Sequence, residues 1–330
     1  MGMRVLVTGG AGYIGSVMCR ALVDSGHEVL VLDNLVQGHR QAVRDLGLVT
    51  VDLQDVARVV EACKRFKPEG CMHFAARNLV GESMQVPLEY FENNVGGTIN
   101  LLRALIESGC RWIVFSSSAA TYGNPADGSH IDEDAPRIPV NPYGKAKLMV
   151  EEVLGELDRV GDLRYVSLRY FNAAGADTDH DLGEDHSPET HLIPKVISAA
   201  LGKTQGVSVF GTDYPTPDGT CLRDYIHIVD LARAHLLALE HLSEGGASRV
   251  FNLGNGNGFS VKEVIAVVQE ISGRKLQVTE GPRRPGDPPV LVASSDRIRA
   301  ELGWHPLFGE LRDIVESAWT WHGRHPAGYM

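Results

Sequence analysis

Tyr143 and Lys147 stand four residues apart in a stretch that opens after Pro142. On a helix that spacing puts both side chains on one face. An ammonium beside a phenol favours the phenolate and lowers its pKa, and a nearby oxidised nicotinamide would add positive charge in the same direction. Such a tyrosine is a general base for an alcohol about to lose a hydride. The same spacing also arises on ordinary surface helices. Ser116, Ser117 and Ser118 narrow the choice, because they end an apolar run that begins at Arg111. Three hydroxyls at the carboxyl end of a strand lie where open parallel sheets bind ligands, and Ser118 can then hydrogen-bond the substrate hydroxyl.

A hydride needs an acceptor. Gly9, Gly12 and Gly15 follow the apolar run Arg4 to Thr8 and precede a helical pattern. In that context the three glycines serve a tight turn, close approach of backbone to a pyrophosphate, and close helix-to-strand packing. The helix N-terminus adds N–H groups and a positive dipole end. Asp33 ends the second apolar run, where a carboxylate accepts both ribose hydroxyls and repels a 2′-phosphate, so the reading is NAD and not NADP. A strand-end helix cap is the alternative for Asp33. Asp52, followed by Leu53, is placed to meet the adenine edge, and as N-cap of the next helix it would serve almost as well.

Apolar runs of strand length at Arg4–Thr8, Glu28–Asp33, Leu48–Asp52, Gly70–Phe74, Arg111–Ser116 and Arg164–Arg169 alternate with helical patterns near 13–25, 55–66, 86–108 and 142–158. Near-continuous apolar strands separated by helices predict a parallel sheet covered on both faces. The fold class is therefore α/β, a Rossmann-like doubly wound sheet over residues 1–174. From about 175 to 330 the chain turns rich in Asp, Gly and Pro, with shorter helices, one near 229–242. This predicts a smaller mixed α/β substrate lobe, from which the chain returns to the first domain near 225–252.

The chain has 330 residues, 36 of them glycine, and 31 Lys+Arg against 42 Asp+Glu give a net charge of −11. Such a chain repels a nucleic-acid backbone or an anionic membrane surface, so any phosphate it binds needs a local device. No apolar run approaches the roughly 18 residues of a membrane span. The N-terminus lacks the pattern of a signal peptide, which predicts a cytoplasmic protein. Cys19, Cys63, Cys71, Cys110 and Cys221 are scattered without a Cys-x-x-Cys pair, and no histidine stands at a recognised metal-ligand spacing beside them. They are expected to be reduced and structural, and no metal is expected. His73 and His227 are expected to be structural.

The segments TGGAGYIG, HFAA, NNVGGT, FSSSAATYG, NPYGKAK and RYFNAAG follow one another in that order. Together they resemble the extended short-chain dehydrogenase/reductase family. Within it, HLIP from 191, VFGTDYPTPDGTCLRDYIH from 209 and PRRPGD from 282 resemble the UDP-hexose 4-epimerase branch. The resemblance runs from residue 3 to the RHPAGY ending. It implies NAD contacts from Tyr13, Ile14, Asp33, Asn34, Gly38, Asp52, Leu53, Phe74, Ala75, Ala76, Asn93 and Phe171, with Tyr143 and Lys147 at the nicotinamide ribose. For a UDP-sugar it implies Ser118, Tyr143, Asn172, the backbone around His191 and Leu192, and a uridine slot at Ser208, Val209 and Phe210. Arg223 and Arg284 would grip the diphosphate and Asp287 a ribose hydroxyl. Arginines in the loops of an acidic protein independently suit a bidentate diphosphate clamp; surface ion pairs with nearby aspartates are the alternative.

Two positions depart from the family pattern. Some relatives have lysine at the position of Asn78, so no charge contact is assumed there. Leu291 stands where epimerases restricted to glucose and galactose often carry tyrosine, which leaves room for a 2-acetamido group. The resemblance also implies a homodimer formed through the 86–108 and Tyr143 helices.

Other activities share the triad. A nucleotide-sugar 4,6-dehydratase needs an acid and a base where Ala119 and Ala120 follow Ser118, and alanine exchanges no proton. Epimerases of UDP-uronic acids or pentoses use the same chemistry. A hydroxysteroid-type dehydrogenase would not need the diphosphate arginines, and a non-catalytic NAD-binding protein would not need the triad.

Overall fold

The computed structural model describes residues 2–124, 130–284 and 287–329. A parallel sheet is built from β1 (Arg4–Thr8), β2 (Glu28–Asp33), β3 (Gly47–Thr50), β4 (Gly70–His73), β5 (Trp112–Ser116), β6 (Arg164–Tyr170) and β7 (Arg249–Leu253). The spatial order is β7-β6-β5-β4-β1-β2-β3. The winding reverses between β1 and β4, which pair in parallel with Thr8 opposite His73. That reversal opens a crevice at the carboxyl ends of the strands. The fold is thus the doubly wound, Rossmann-like α/β class.

Side-chain alternation along β1 divides the core into two layers. Val5 and Val7 pack with α1 (Tyr13–Asp24), through Val17, Met18 and Leu22. Leu6 faces the other way, toward α2 (Val56–Phe66), α3 (Gly97–Glu107) and α4 (Pro142–Val160), through Val59, Leu101, Leu105, Val150 and Leu154. A third core joins α5 (Leu192–Ala200), α6 (Ile228–Ser243) being instead packed on α1, to α7 (Val261–Ser272) and α8 (Leu311–Arg324). Three short pairings frame this lobe. Val207–Phe210 runs parallel to Val278–Gly281, Leu222–Arg223 lies between Phe259–Ser260 and Val290–Leu291, and Asn172–Ala174 pairs with Tyr225–His227.

One expected element is built differently. The helical pattern near 86–108 is Pro87–Phe91, a π-helical turn at Glu92–Gly96, and then α3. The buried Asn94 accepts from Arg77 N at 2.8 Å and donates to Arg77 O at 2.9 Å. The wide turn therefore satisfies the backbone of the loop after β4. A strand the sequence pattern does not announce, β7, completes the sheet beside β6. No helix among the described residues is long and apolar enough to cross a membrane.

Candidate active site

The glycine turn is dictated by crowding. Gly9 has φ +69, and a Cβ there would lie 2.6 Å from Ala75 N; at Gly15 it would lie 2.2 Å from Gly9 O. At Gly12 it would meet only Gly9 O, at 3.3 Å, so this glycine faces open space. Gly12 is also the N-cap of α1, without a side-chain cap bond and with no acidic residue in the first turn. The N–H groups of Tyr13 and Ile14 have no intrahelical acceptor and are free for an anion. The residues present therefore fit a dinucleotide pyrophosphate. Tyr13 itself is buried, its hydroxyl donating to Gly175 O at 2.7 Å.

Asp33 lies beside that turn, accepting from Ala11 N at 2.9 Å and from Leu35 N at 2.8 Å. Burial raises its pKa, and the two backbone bonds oppose the rise. A Cβ at Gly38 would lie 2.9 Å from Asp33 Oδ1, so only glycine lets that loop approach. Asn34 Nδ2 donates to Asp52 Oδ2 at 2.8 Å. Asp52 does not cap α2; Asp55 does, accepting from Arg58 N. Leu53 O accepts from Asn100 at 3.1 Å. Phe74 N and Ala75 N both donate to Thr8 O, which seats Phe74, Ala75 and Ala76 against the glycine turn. Asn93, in the π turn, donates to Asn94 at 2.9 Å. Phe171 is half-buried just past β6.

The catalytic candidates converge where α4 meets β5. Asn141 caps α4, accepting from Gly144 N at 2.8 Å, and Pro142 occupies its first turn. A Cβ at Gly144 would lie 2.3 Å from Ala120 O, so the helix start packs directly on the turn that follows Ser118. Lys147 is 4% exposed and donates to Ser116 O at 2.7 Å, with Nζ 5.8 Å from the Tyr143 ring centroid. Burial pushes its ammonium down to about 7, against the pull of Glu151. Burial raises the pKa of Tyr143, and the neighbouring Ser118 hydroxyl opposes the rise. The expected lowering of the phenol by Lys147 is thus not found. Both groups are desolvated, and loss of water is the leading cause of each shift.

The second lobe gathers most of its expected residues. Strand register sets Leu291 opposite Arg223, and Arg223 ion-pairs with Asp287. The Arg284 guanidinium sits 4.3 Å over the Phe210 ring. Ser208 Oγ lies 3.0 Å from Thr279 Oγ1, while Val209 is buried in the lobe core, so its side chain lines no slot. Asn172 donates to Asp224 O at 2.7 Å. His191 precedes Leu192 as N-cap of α5, but its imidazole turns to Glu184 instead of capping. Asn78 is exposed.

The residues expected to be structural have partners. His73 is bonded to Thr8 Oγ1 at 2.6 Å and Thr98 Oγ1 at 2.8 Å, and burial pushes its pKa down to about 3. His227 bonds Ser317 at 3.0 Å and stacks on Phe308. All five cysteines are free and buried. The reading of the sequence missed one constellation: Glu184, His186, Glu189 and His191 bring four donor atoms together. The signal for it in the sequence is a Glu-x-His-x-x-Glu-x-His spacing over residues 184–191.

A doubly wound sheet with an open glycine turn, an Asp at the second strand end and a buried Lys147 beside the half-buried Tyr143 and Ser118 defines a dinucleotide-dependent protein of the short-chain oxidoreductase type. The chain belongs to the NAD dependent epimerase/dehydratase family, whose model matches residues 5–254. It is 50% identical over 327 residues to the UDP-glucose 4-epimerase of Halalkalibacterium halodurans, covering 99% of this chain and 98% of that one. Among solved structures, UDP-glucose 4-epimerase from Brucella ovis in complex with NAD superposes with TM-score 0.94 at 46% identity, over 96% of this chain and 98% of that one. The UDP-Glc/GlcNAc 4-epimerase of Campylobacter jejuni does so with TM-score 0.86 at 42% identity, over 98% and 100%.

Proposed function

We propose that this chain interconverts UDP-glucose and UDP-galactose by oxidising and re-reducing sugar carbon 4 through a transient 4-keto sugar. The observation that carries the reading is the convergence of Tyr143, Lys147 and Ser118 at the carboxyl end of β5, on a chain so close to known epimerases. NAD, when bound, takes the carbon-4 hydride and returns it to the other face of the sugar. The chain's own part is to hold and move protons. Tyr143 removes the hydroxyl proton at carbon 4, directly or through Ser118, and gives it back. Lys147, fixed on the Ser116 carbonyl, positions the nicotinamide ribose and favours the phenolate once the site is filled.

Turning the keto sugar over requires that binding energy fall on the nucleotide and not on the hexose. Arg223, Arg284, Asp287, Phe210 and Ser208 supply such a grip. We assign the pyrophosphate of NAD to Gly9, Gly12, Tyr13, Ile14 and Gly15, its ribose to Asp33 with Asn34 and Gly38, and its adenine edge to Asp52 and Leu53. Phe74, Ala75, Ala76, Asn93 and Phe171 complete that site. Asn172, His191 and Leu192 lie on the UDP-sugar side.

The nucleotide lobe comprises residues 1–174 with the return at 225–252, and the substrate lobe 175–330; packing of α6 on α1 and pairing of β7 with β6 support the division. Leu291 beside Arg223 favours acceptance of UDP-N-acetylhexosamines as well, in keeping with the Campylobacter relative. The chain works as a cytoplasmic homodimer. Exposed Leu88 and Met149, on the Pro87–Phe91 turn and the α4 helix packed together, support a helical interface. A chromatographic assay of products from UDP-galactose, without added NAD, tests the reading.

A further inference from the structure

We propose that Glu184, His186, Glu189 and His191 form a zinc-type divalent metal site that pins the segment between the two lobes. Their donor atoms all lie within 4.8 Å of one another. His186 Nδ1 is 3.1 Å from Glu184 Oε1 and 3.9 Å from Glu189 Oε2, and His191 Nδ1 also bonds Glu184 Oε1. A tetrahedral ion at ordinary zinc distances needs donors roughly 3.3 Å apart. Small side-chain shifts bring these four to that spacing.

The chemistry of the set favours a metal over protons alone. Two carboxylates and two neutral imidazoles carry a charge of −2, which one divalent cation cancels, whereas without a metal the cluster must take up two protons to reach the same charge. Glu184 is 3% exposed, and a carboxylate so buried demands a partner charge. Two imidazoles competing for its one oxygen make the arrangement resemble a ligand set more than a simple ion pair. Mixed nitrogen and oxygen donors suit zinc and its neighbours and do not suit calcium or magnesium. His191 is half-exposed and leaves a path for the ion to enter.

The location gives the ion a structural task. His186 meets the Tyr13 ring edge-on, with centroids 6.3 Å apart, so the cluster touches the first turn of α1. His191 is the N-cap of α5 in the second lobe. A bound ion would tie the glycine turn to the start of α5.

The test uses tag-free, NAD-bound protein treated with a chelator and then titrated with Co2+ as a visible-absorbing probe. The expected result is a d–d spectrum that saturates at one equivalent per chain, is displaced by Zn2+, and lacks a thiolate charge-transfer band. Affinity should fall at least about tenfold in His186→Ala and in Glu189→Gln, since even outer-shell changes cost that much. Zn2+ should raise the Tm of the wild type and leave that of the variants unmoved. Glu189→Gln keeps shape and volume and decides the matter if His186→Ala fails to fold. Absence of saturable Co2+ binding, a thiolate band, or unchanged affinity in Glu189→Gln overturns the proposal. None of these readouts depends on epimerase activity.

Discussion

Arg169 on β6 and Glu151 on α4 form a buried bidentate pair, with Nε to Oε1 at 2.9 Å and Nη2 to Oε2 at 2.5 Å. Glu151 lies one helical turn beyond Lys147, and its Oε1 also accepts from Ser117 Oγ at 2.6 Å. Arg169 in turn bonds the Tyr122 hydroxyl at 2.7 Å, which donates to Asn252 on β7 at 2.7 Å. One network thus fixes the helix carrying Tyr143 and Lys147 to β6, to β7 and to the residue that follows β5.

Removing one partner leaves the other charged and buried. Arg169→Ala is expected to destabilise the fold by about 3–5 kcal/mol. Denaturant unfolding checks this, and a loss within the range of a surface substitution would show that the pair is dispensable.

Tyr143→Phe keeps the ring and its packing but removes the proton acceptor. Turnover should fall by about 10²–10⁴-fold, while bound NAD, measured after release from the denatured protein, stays near the wild-type level. A fully active Phe variant would remove Tyr143 as the base.

Lys147 gives a pH signature. In the cofactor-free chain its pKa is pushed down to about 7 from 10.5, so between these values the unfolded chain binds more protons than the native one. Its contribution to stability therefore rises with pH across that window, by at most about 1.4 kcal/mol per pH unit, and below pH 7 the cost of the buried charge is felt in full. Lys147→Met should flatten the rise. Urea midpoints near pH 7 and at about pH 9 measure it, and parallel wild-type and variant curves would contradict the assignment.

The nucleotide grip and the sugar pocket separate by substitution. Arg284→Ala removes a charge-assisted contact of about 1.5–3 kcal/mol, so KM for UDP-galactose should rise by about tenfold or more with NAD retained. Leu291→Tyr sets a larger side chain opposite Arg223 and should lower turnover of UDP-N-acetylgalactosamine relative to UDP-galactose by roughly 10–200-fold. Initial rates on both sugars give both numbers. An unchanged sugar ratio would place the specificity elsewhere.

What could be read from the sequence was what lies close along the chain. Gly9, Gly12 and Gly15 share one turn, Asp33 ends one strand, and Tyr143 and Lys147 share one helix face, so spacing alone sets their geometry. The Arg169–Glu151 pair depends on which elements become neighbours, and spacing carries no such signal. The π turn at Glu92–Gly96 answers to a loop at Arg77 that its own sequence does not mention. The upward push on Tyr143 comes from desolvation by the assembled fold. Glu184 to His191 are close in sequence, but in an irregular loop no periodicity says which side chains converge.

Incubating the purified protein with UDP-galactose, without added NAD, and separating the products reads carbon-4 epimerisation itself. UDP-glucose at equilibrium is expected, with no stoichiometric build-up of NADH. Failure to convert UDP-galactose by protein that retains NAD, or NADH formed in step with substrate consumed, would contradict it.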